Sequence, residues 1–430
     1  MTLAAHTLGC KLNFVETSHF LRQMAERGHT VVDFTEVADV YVINTCTVTA
    51  VAEKKCRTFI HQAARRNPDA CIVVVGCFAQ REPDAIRAIP GVSLVVGNDQ
   101  KHLLPRMIEG FGVRSSRSKE SDGQPRTAVQ GEGFRVQFSG SRTRTFIKIQ
   151  DGCDYFCTYC AIPFARGRSR SATIAETVAE VKDIAASGTP EIVLTGINTG
   201  TFGQQHGEHL IDLFRELDKI DTVLRYRISS IEPNLITDEI IDFVASSRAF
   251  LPHFHIPLQA GSDKVLQLMH RRYDTVLYAS RIEHIKRVMP HACIAADVIT
   301  GFNGEDDEAF AQGKAFIDSL PISYLHIFPY SERPGTAALR MSGKVPVHIR
   351  RQRSADLHEL SDRKRAAFVA AHLGTTRQVL WEHTRHGTAM QGWTDNYIRL
   401  QRPYDPALAG TVTPYPITNS TIVENFSPDD

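Results

Sequence analysis

Cys153, Cys157 and Cys160 fall within eight residues, in the stretch FIKIQDGCDYFCTYCAIPFARGRSRS. Separated by three and then two residues, three thiolates can wrap one soft metal centre, and a fold has to accommodate that. A closed structural zinc site wants four ligands, and no fourth cysteine is near in sequence. A three-cysteine iron–sulfur cluster instead leaves one iron open to a substrate or cofactor. The triad directly follows a strand-like run, Phe146–Gln150, at its C-terminal end. In parallel α/β barrels, active sites collect on that face.

The surrounding chain repeats the same alternation. Further strand-like runs lie at Ile192–Gly196, Tyr226–Ser230, His253–Leu258, Cys293–Thr300 and Tyr324–Ser331. Helical patterns near 174–187, 209–219, 236–247, 262–289 and 305–320 separate them, and a long basic helical stretch, 348–372, closes the region. Strand–helix repeats of this kind predict a parallel barrel or part of one. Before it, 1–110 alternates too, with strands at Thr2–Leu8, Val40–Thr45, Ile72–Gly76 and Leu94–Gly97 and helices at about Phe14–Arg27 and Ala50–Arg66. Continuous β-branched runs between helices predict a parallel sheet covered on both faces. After it, QVLWEHT, AMQGWTDNYIRLQ and GTVTPYPITNSTIVENF predict a small all-β barrel. The expected fold class is α/β. Its domains are 1–112 (parallel sheet), 113–138 (linker), 139–370 (a six-repeat partial barrel) and 371–430 (all-β).

The N-terminal region carries a second set of cysteines. Cys10 in TLGCKLN, Cys46 in NTCTVT and Cys77 in GCFAQ each lie just past a strand. In a parallel sheet those ends share one edge, where ligand sites form. The chain has nine cysteines. The segment MTLAAHTLGCKLNF lacks the apolar core of a signal peptide, and no apolar run approaches the roughly 18–20 residues that span a bilayer. The expected setting is the cytoplasm, with no membrane partner, where cysteines are ligands, nucleophiles or core filler rather than disulfides. Cys56, Cys71 and Cys293 are expected to be core filler.

Both triads, in this order and followed by a small β module, resemble the radical SAM (S-adenosylmethionine) methylthiotransferase family. Matching stretches also include EIVLTGIN, ISSIEP, HIPLQAGSDKVLQLMHRRY and ADVITGFNGE, so the resemblance spans essentially the whole chain. It implies a radical SAM partial TIM barrel and a C-terminal β module called TRAM. It also implies two [4Fe-4S] clusters, one on Cys153, Cys157 and Cys160, where S-adenosylmethionine is cleaved to a radical, and an auxiliary one on Cys10, Cys46 and Cys77. One S-adenosylmethionine methylates a sulfur at the auxiliary cluster; the radical made from a second removes the hydrogen from C2 of an adenine, and the methylthio group is inserted there. One departure is visible: members usually read GFPGE where this chain has Gly301-Phe302-Asn303-Gly304-Glu305. A local change in that loop is expected, without loss of chemistry.

TLGCKLN is most similar to the branch that acts on N6-threonylcarbamoyladenosine next to the anticodon of tRNA. The other branches act on isopentenyladenosine in tRNA or on an aspartate of a ribosomal protein. A reading from a different class is an iron–sulfur RNA-binding or sensing protein without turnover. The implied partners are the tRNA anticodon loop, S-adenosylmethionine and an electron donor such as a flavodoxin or ferredoxin. Tyr159 precedes the last cysteine of its triad. Gly196 and Asn198 end the second barrel strand, Glu232 the third, and Gln259 and Ser262 the fourth; Asp297 lies in the fifth and Arg271 in HRRY. These are the expected cofactor-binding residues, while His253 and His255 are read as structural.

Charge is where composition enters. Lys+Arg is 49 and Asp+Glu 48, yet 111–150 and 340–366 each carry eight Lys/Arg against three acids. The stretch 340–366 is a candidate phosphate contact, as are Arg166, Arg168 and Arg170. Trp393, Tyr397 and Tyr404 are candidates for stacking on bases.

Overall fold

The computed structural model describes residues 1–115, 137–139 and 143–423. Most of the expected linker, 113–138, therefore lies outside the described residues. The chain forms two compact units. One comprises Met1–Ser139, Gly152–Asp154 and Ala161–Ser171; the other comprises Gly140–Asp151, Tyr155–Cys160 and Ala172–Asp430. Cys153 thus belongs to the first and Cys157 and Cys160 to the second.

The first unit is built on β1 (Thr2–Thr7), β2 (Thr30–Val32), β3 (Val40–Thr45), β4 (Cys71–Gly76) and β5 (Val92–Val96). All pair in parallel, in the order β2-β1-β3-β4-β5. Alternate residues of a strand face opposite sides. Tyr41, Ile43, Ile72 and Val74 pack with Cys56, Ile60 and Ala63 of α2 (Ala50–Arg66). Val40, Val42, Val73 and Val75 pack with Phe20 and Met24 of α1 (Lys11–Glu26). The sheet is buried on both faces, which is why its strands read as unbroken apolar runs. The strand β2, only three residues long and mostly exposed at the edge, had no such signal. Cys56 is buried in the first cluster and Cys71 is packed against the second.

In the second unit, β6 (Arg144–Lys148), β7 (Glu191–Thr195) and β8 (Arg225–Ile228) are parallel, with β7 central. A second parallel sheet has β10 (Cys293–Thr300) between β9 (His253–His255) and β11 (Tyr324–Pro329). The bridge Ser230↔His255 links the two. These six strands are the six expected, although the helix read across 262–289 is two, Asp263–Leu268 and Thr275–Val288. The long helix α3 (Val347–Ala370) packs on β11. The chain ends in a curled antiparallel sheet of β12 (Thr376–His386), β13 (Ala389–Thr394), β14 (Arg399–Pro403) and β15 (Val412–Pro416), ordered β14-β13-β12-β15. No described helix is long and apolar enough to cross a membrane.

The antiparallel sheet closes the N-terminal ends of the parallel strands through charge. Glu191, first in β7, stands in register between Arg144 and Arg225, first in β6 and β8. Arg225 Nε lies 2.9 Å from Glu191 Oε2 and Arg227 Nε 3.0 Å from Glu191 Oε1. Arg225 then donates to the Trp393 and Thr394 carbonyls at 3.2 Å each. Arg144 reaches Glu382, which also accepts from Trp393 Nε1. Trp393 is buried and stacked on Tyr397, whose ring also meets His253 at 4.4 Å and lies under Arg227. Trp393 and Tyr397 therefore pack this junction rather than presenting faces to bases. Tyr404 packs against the sheet's own core and lies under Arg385. The prior structural reading of His253 matches its buried place here.

Burial opposes the charge on Glu191, but Arg227, Arg225 and Arg144 outweigh it and hold the carboxyl at about 2. A depressed folded-state pKa stabilises above the unfolded value and is lost below it. Glu191→Ala is expected to cost about 3–5 kcal/mol at neutral pH, leaving two buried guanidinium groups without their partner. In urea titrations that cost should shrink as pH falls from the usual glutamate range toward about 2.

Candidate functional site

In the first unit, Cys10, Cys46 and Cys77 follow β1, β3 and β4 directly, and parallel pairing delivers them to one edge. Gly9 makes the approach possible. Its φ is +98°, and a Cβ there would stand 2.6 Å from Cys46 Cβ and 2.8 Å from Cys46 Sγ. Only glycine takes that backbone conformation without strain. Cys10 is exposed, whereas Cys46 and Cys77 are buried. Burial, with the neighbouring Cys10 and Cys77 adding to it, pushes the Cys46 thiol up to about 12. A thiol so placed ionises when a cationic centre takes the proton's position, and three soft sulfur donors at one edge suit an iron–sulfur cluster.

A buried polar network sits beneath these thiols. Asn13 Nδ2 donates to the carbonyls of Leu8 and Thr45 at 2.8 and 3.1 Å, tying the Cys10 and Cys46 loops together. Arg166 Nη2 donates to Asn13 Oδ1 at 2.6 Å, and Arg166 Nη1 meets Glu16 at 3.0 Å. Lys101 completes the group, 2.5 Å from Glu16. Asn98 donates to Cys77 Sγ at 3.4 Å and to the Ala165 carbonyl at 2.7 Å. Arg166 ends a short helix, Ile162–Arg166, and is 3 % exposed. It is therefore not available to a phosphate, contrary to the expectation from sequence. Arg170 donates to the Arg166 carbonyl, and the exposed Arg168 pairs with Asp154. Cys153 donates its backbone N–H to the Gly167 carbonyl at 3.1 Å.

In the second unit, Cys157 and Cys160 share one turn, the Cys160 N–H donating to the Cys157 carbonyl at 2.9 Å. Arg271 Nη1 donates to Cys157 Sγ at 3.1 Å and to the Tyr159 hydroxyl at 3.4 Å, and Nη2 pairs with Glu232. Burial pushes the Cys157 thiol up, and the Arg271 guanidinium works against that. Burial likewise raises Glu232, with Arg271 opposing. Arg271, Glu232, Tyr159 and Cys157 are thus one group. Phe302 meets the Tyr159 ring edge-on at 6.2 Å.

Gly196 and Asn198 lie at the end of β7. Gln150 Oε1 accepts the N–H groups of Ile197 and Asn198, both at 2.9 Å, and shapes this loop. A Cβ on Gly196 would stand 2.9 Å from that oxygen. Sequence reasoning missed Gln150; its place two residues after a strand and three before the first cysteine was the only signal. Asn198 is buried, and its carboxamide makes no hydrogen bond of ordinary geometry, although it stands near enough to the Tyr155 hydroxyl to work against the upward push of burial on that group. A buried amide without partners is costly, and it suits a ligand with polar groups such as S-adenosylmethionine. Gln259, at φ +66°, donates its N–H to the Asp297 carbonyl. Ser262 is buried at the start of Asp263–Leu268. Asp297 pairs with His255 at 2.7 Å rather than directly with the Arg271 group. Asn303 is buried and ties its loop to the Ala338 carbonyl at 2.8 Å, through a side-chain donor that proline would lack.

The basic stretch 340–366 is spent in part internally. Arg350 donates to the carbonyls of Val345 and Tyr330 and pairs with Glu332; Arg353 donates to the Glu305 carbonyl and pairs with Asp307. Arg363 and Lys364 bind Asp318 and its neighbourhood. Arg340, Lys344, Arg351 and Arg363 are exposed.

Residues 2–97 match the family described as uncharacterized protein family UPF0004, and 147–316 match the radical SAM superfamily. The threonylcarbamoyladenosine tRNA methylthiotransferase MtaB of Bacillus subtilis (strain 168) is 39 % identical over 412 residues, spanning 93 % of this chain and 90 % of that protein. MtaB of Aquifex aeolicus (strain VF5) is 38 % identical over 413 residues, spanning 94 % and 97 %. Among solved structures, the radical S-adenosylmethionine methyltransferase TsrM from Kitasatospora setae, with tryptophan substrate and a SAM analog bound, superposes with a TM-score of 0.57 at 16 % identity. That match covers 76 % of this chain and 72 % of TsrM, a likeness of fold.

Arg166→Met should remove one of the two cations at Glu16, leaving Lys101, and orphan Asn13 Oδ1, at a cost of about 3 kcal/mol. Cys46 of the cluster-free chain should then alkylate faster with iodoacetamide, which peptide mass spectrometry reads.

Proposed function

This chain belongs to the radical SAM methylthiotransferase family, and we infer that it methylthiolates C2 of N6-threonylcarbamoyladenosine at position 37 of tRNA. It is an enzyme that uses S-adenosylmethionine and [4Fe-4S] clusters. The observation that carries the substrate is identity of 38–39 % with threonylcarbamoyladenosine enzymes over nearly the whole of both chains.

Cys153, Cys157 and Cys160 would hold one cluster and Cys10, Cys46 and Cys77 the other. Gly196, Asn198, Glu232, Gln259, Ser262, Arg271 and Tyr159 would receive S-adenosylmethionine. When bound, these groups supply one-electron chemistry at an unactivated C–H position, together with the sulfur and methyl that replace the hydrogen. The protein's part is to bind and orient. Arg271 donates to the Cys157 sulfur and favours its thiolate, while Glu232 offsets the charge that Arg271 brings into a buried place. Asn198 offers a buried donor and acceptor, with only the Tyr155 hydroxyl close to them. Asn98 donates to the Cys77 sulfur; hydrogen bonds to cluster sulfurs shift reduction potential. The anticodon loop as docking site, a flavodoxin or ferredoxin as electron donor and a cytoplasmic location complete the proposal.

Mass spectrometry of tRNA nucleosides tests the substrate: 2-methylthio-N6-threonylcarbamoyladenosine should vanish on deletion and return on complementation. Its persistence in the deletion strain overturns the reading. Cys157→Ala should abolish formation of 5′-deoxyadenosine while iron remains at the other triad. Cys46→Ala should retain 5′-deoxyadenosine formation and lose methylthiolation. Wild-type iron content in both variants would refute two separate cluster sites.

A further inference from the structure

Three adjacent strands of the second unit gather polar side chains beside the Arg271 group, Asp297 among them. Asp297 of β10 pairs in register with His326 of β11, and His255 of β9 pairs with Ala295, two positions before Asp297. Residues in register, and those two apart, share one face of a sheet. Thr300, three positions after Asp297, faces α3 through a 2.7 Å hydrogen bond to Ser354. The three side chains therefore project from the opposite face. Their nitrogens and carboxylate oxygen lie within 4.8 Å of one another, and all three residues are half-buried. His255 bridges the group, with Nε2 2.7 Å from Asp297 Oδ1 and Nδ1 2.7 Å from Ser230 Oγ. Burial works against the Asp297 charge, but His255, then His326 and Arg271, hold it below the usual aspartate range. Asp297 and Glu232 feel one another's charge, so this ledge adjoins the Arg271 group.

We propose that the ledge of Ser230, His255, Asp297 and His326 reads the polar N6 substituent of the substrate base. The inference rests on the threonylcarbamoyladenosine reading. That substituent carries urea N–H groups and a hydroxyl, donors suited to the Asp297 carboxylate, which has acceptor sites beyond the one His255 takes. It ends in a carboxylate, for which His326, directly across the register, offers an imidazole. A hydrocarbon substituent in the same place would cover a carboxylate and two imidazoles without replacing their water, which is costly. Sites built to hydrogen-bond a substrate reject analogues lacking those groups far more strongly than apolar pockets reject polar ones. Two histidines and a carboxylate are also a metal donor set. Here, however, His255 and Asp297 are joined directly by a hydrogen bond.

The test uses the reconstituted full chain, without reductant, and three anticodon stem-loops that carry threonylcarbamoyladenosine, isopentenyladenosine or adenosine. Wild type should bind the first most tightly. Asp297→Asn and His326→Leu should each compress its preference over adenosine by roughly 10- to 100-fold, as expected for lost hydrogen bonds to charged groups. His326→Leu should also gain affinity for the isopentenyl RNA, and His326→Gln should keep part of the original preference. Equal weakening of all three RNAs, or an unaltered preference, would sink the ledge while leaving the substrate reading in place. A wild type that itself favours isopentenyl RNA removes both. Metal beyond the clusters that disappears in His326→Gln would overturn substrate reading in favour of ligation.

Discussion

Parallel strands in register deliver whatever follows their C-terminal ends to one edge of the sheet, and the chemistry of this protein depends on that delivery. Cys10, Cys46 and Cys77 are far apart in sequence but leave three neighbouring strands at the same level. The same geometry in the second unit gathers Asn198, Ser230 and the segment from Gln259 to Ser262 at strand ends, with Asp297 inside its strand. Because parallel sheets are buried on both faces, these ends are the places where polar groups can stand beside a rigid apolar scaffold and still meet a ligand.

Burial then sets the character of each group. The Cys46 thiol, the Glu232 carboxyl and the Asn198 amide are all costly to bury alone. Each is treated differently: the neighbouring sulfurs add to the burial effect that keeps Cys46 a thiol, a guanidinium stands against Glu232, and only the Tyr155 hydroxyl lies near the Asn198 amide. Arginine is the recurring solution, since its planar fork serves several acceptors at once. Arg166 holds the loop of the first triad through Asn13, and Arg271 binds a sulfur, a phenol and a carboxylate together. At the opposite ends of the strands, Glu191 and its arginines attach the antiparallel sheet to the parallel strands. Replacing such a cluster with apolar residues need not weaken a protein, but breaking it does. Site and closure therefore occupy opposite ends of the same strands.

These internal uses explain why charge was the least legible part of the sequence. Eight basic residues in 340–366 suggested a nucleic-acid contact, yet Arg350 and Arg353 are buried against carbonyls and carboxylates. Their acid partners, Glu332, Glu305 and Asp307, lie outside that window, so a local charge count could not include them. Trp393 and Tyr397 read as stacking residues for the same reason: an aromatic side chain in a short strand looks identical whether it meets a base or a buried arginine.

Local pattern and spacing determined a great deal. Largely apolar runs at Val40–Thr45 and Cys293–Thr300 marked strands with correct bounds, because β-branched and small apolar residues suit a strand packed on both faces; Asp297 is the polar interruption in the second. The spacing of Cys153, Cys157 and Cys160 pointed to a soft metal centre, since three thiols within eight residues can reach one ion whatever the rest of the fold. Tertiary structure alone decided how partners far apart in sequence were joined: Asn13 with Arg166, Arg271 with Cys157 and Glu232, and His255 with Asp297 across from His326. Each pairing depends on strand register and on helices folding back over more than thirty residues, and no local signal encodes that. The cysteines were legible because their candidate roles rest on spacing within one short segment or on strand ends at one sheet edge; the polar groups around them were not, because their partners are set only when the chain closes on itself.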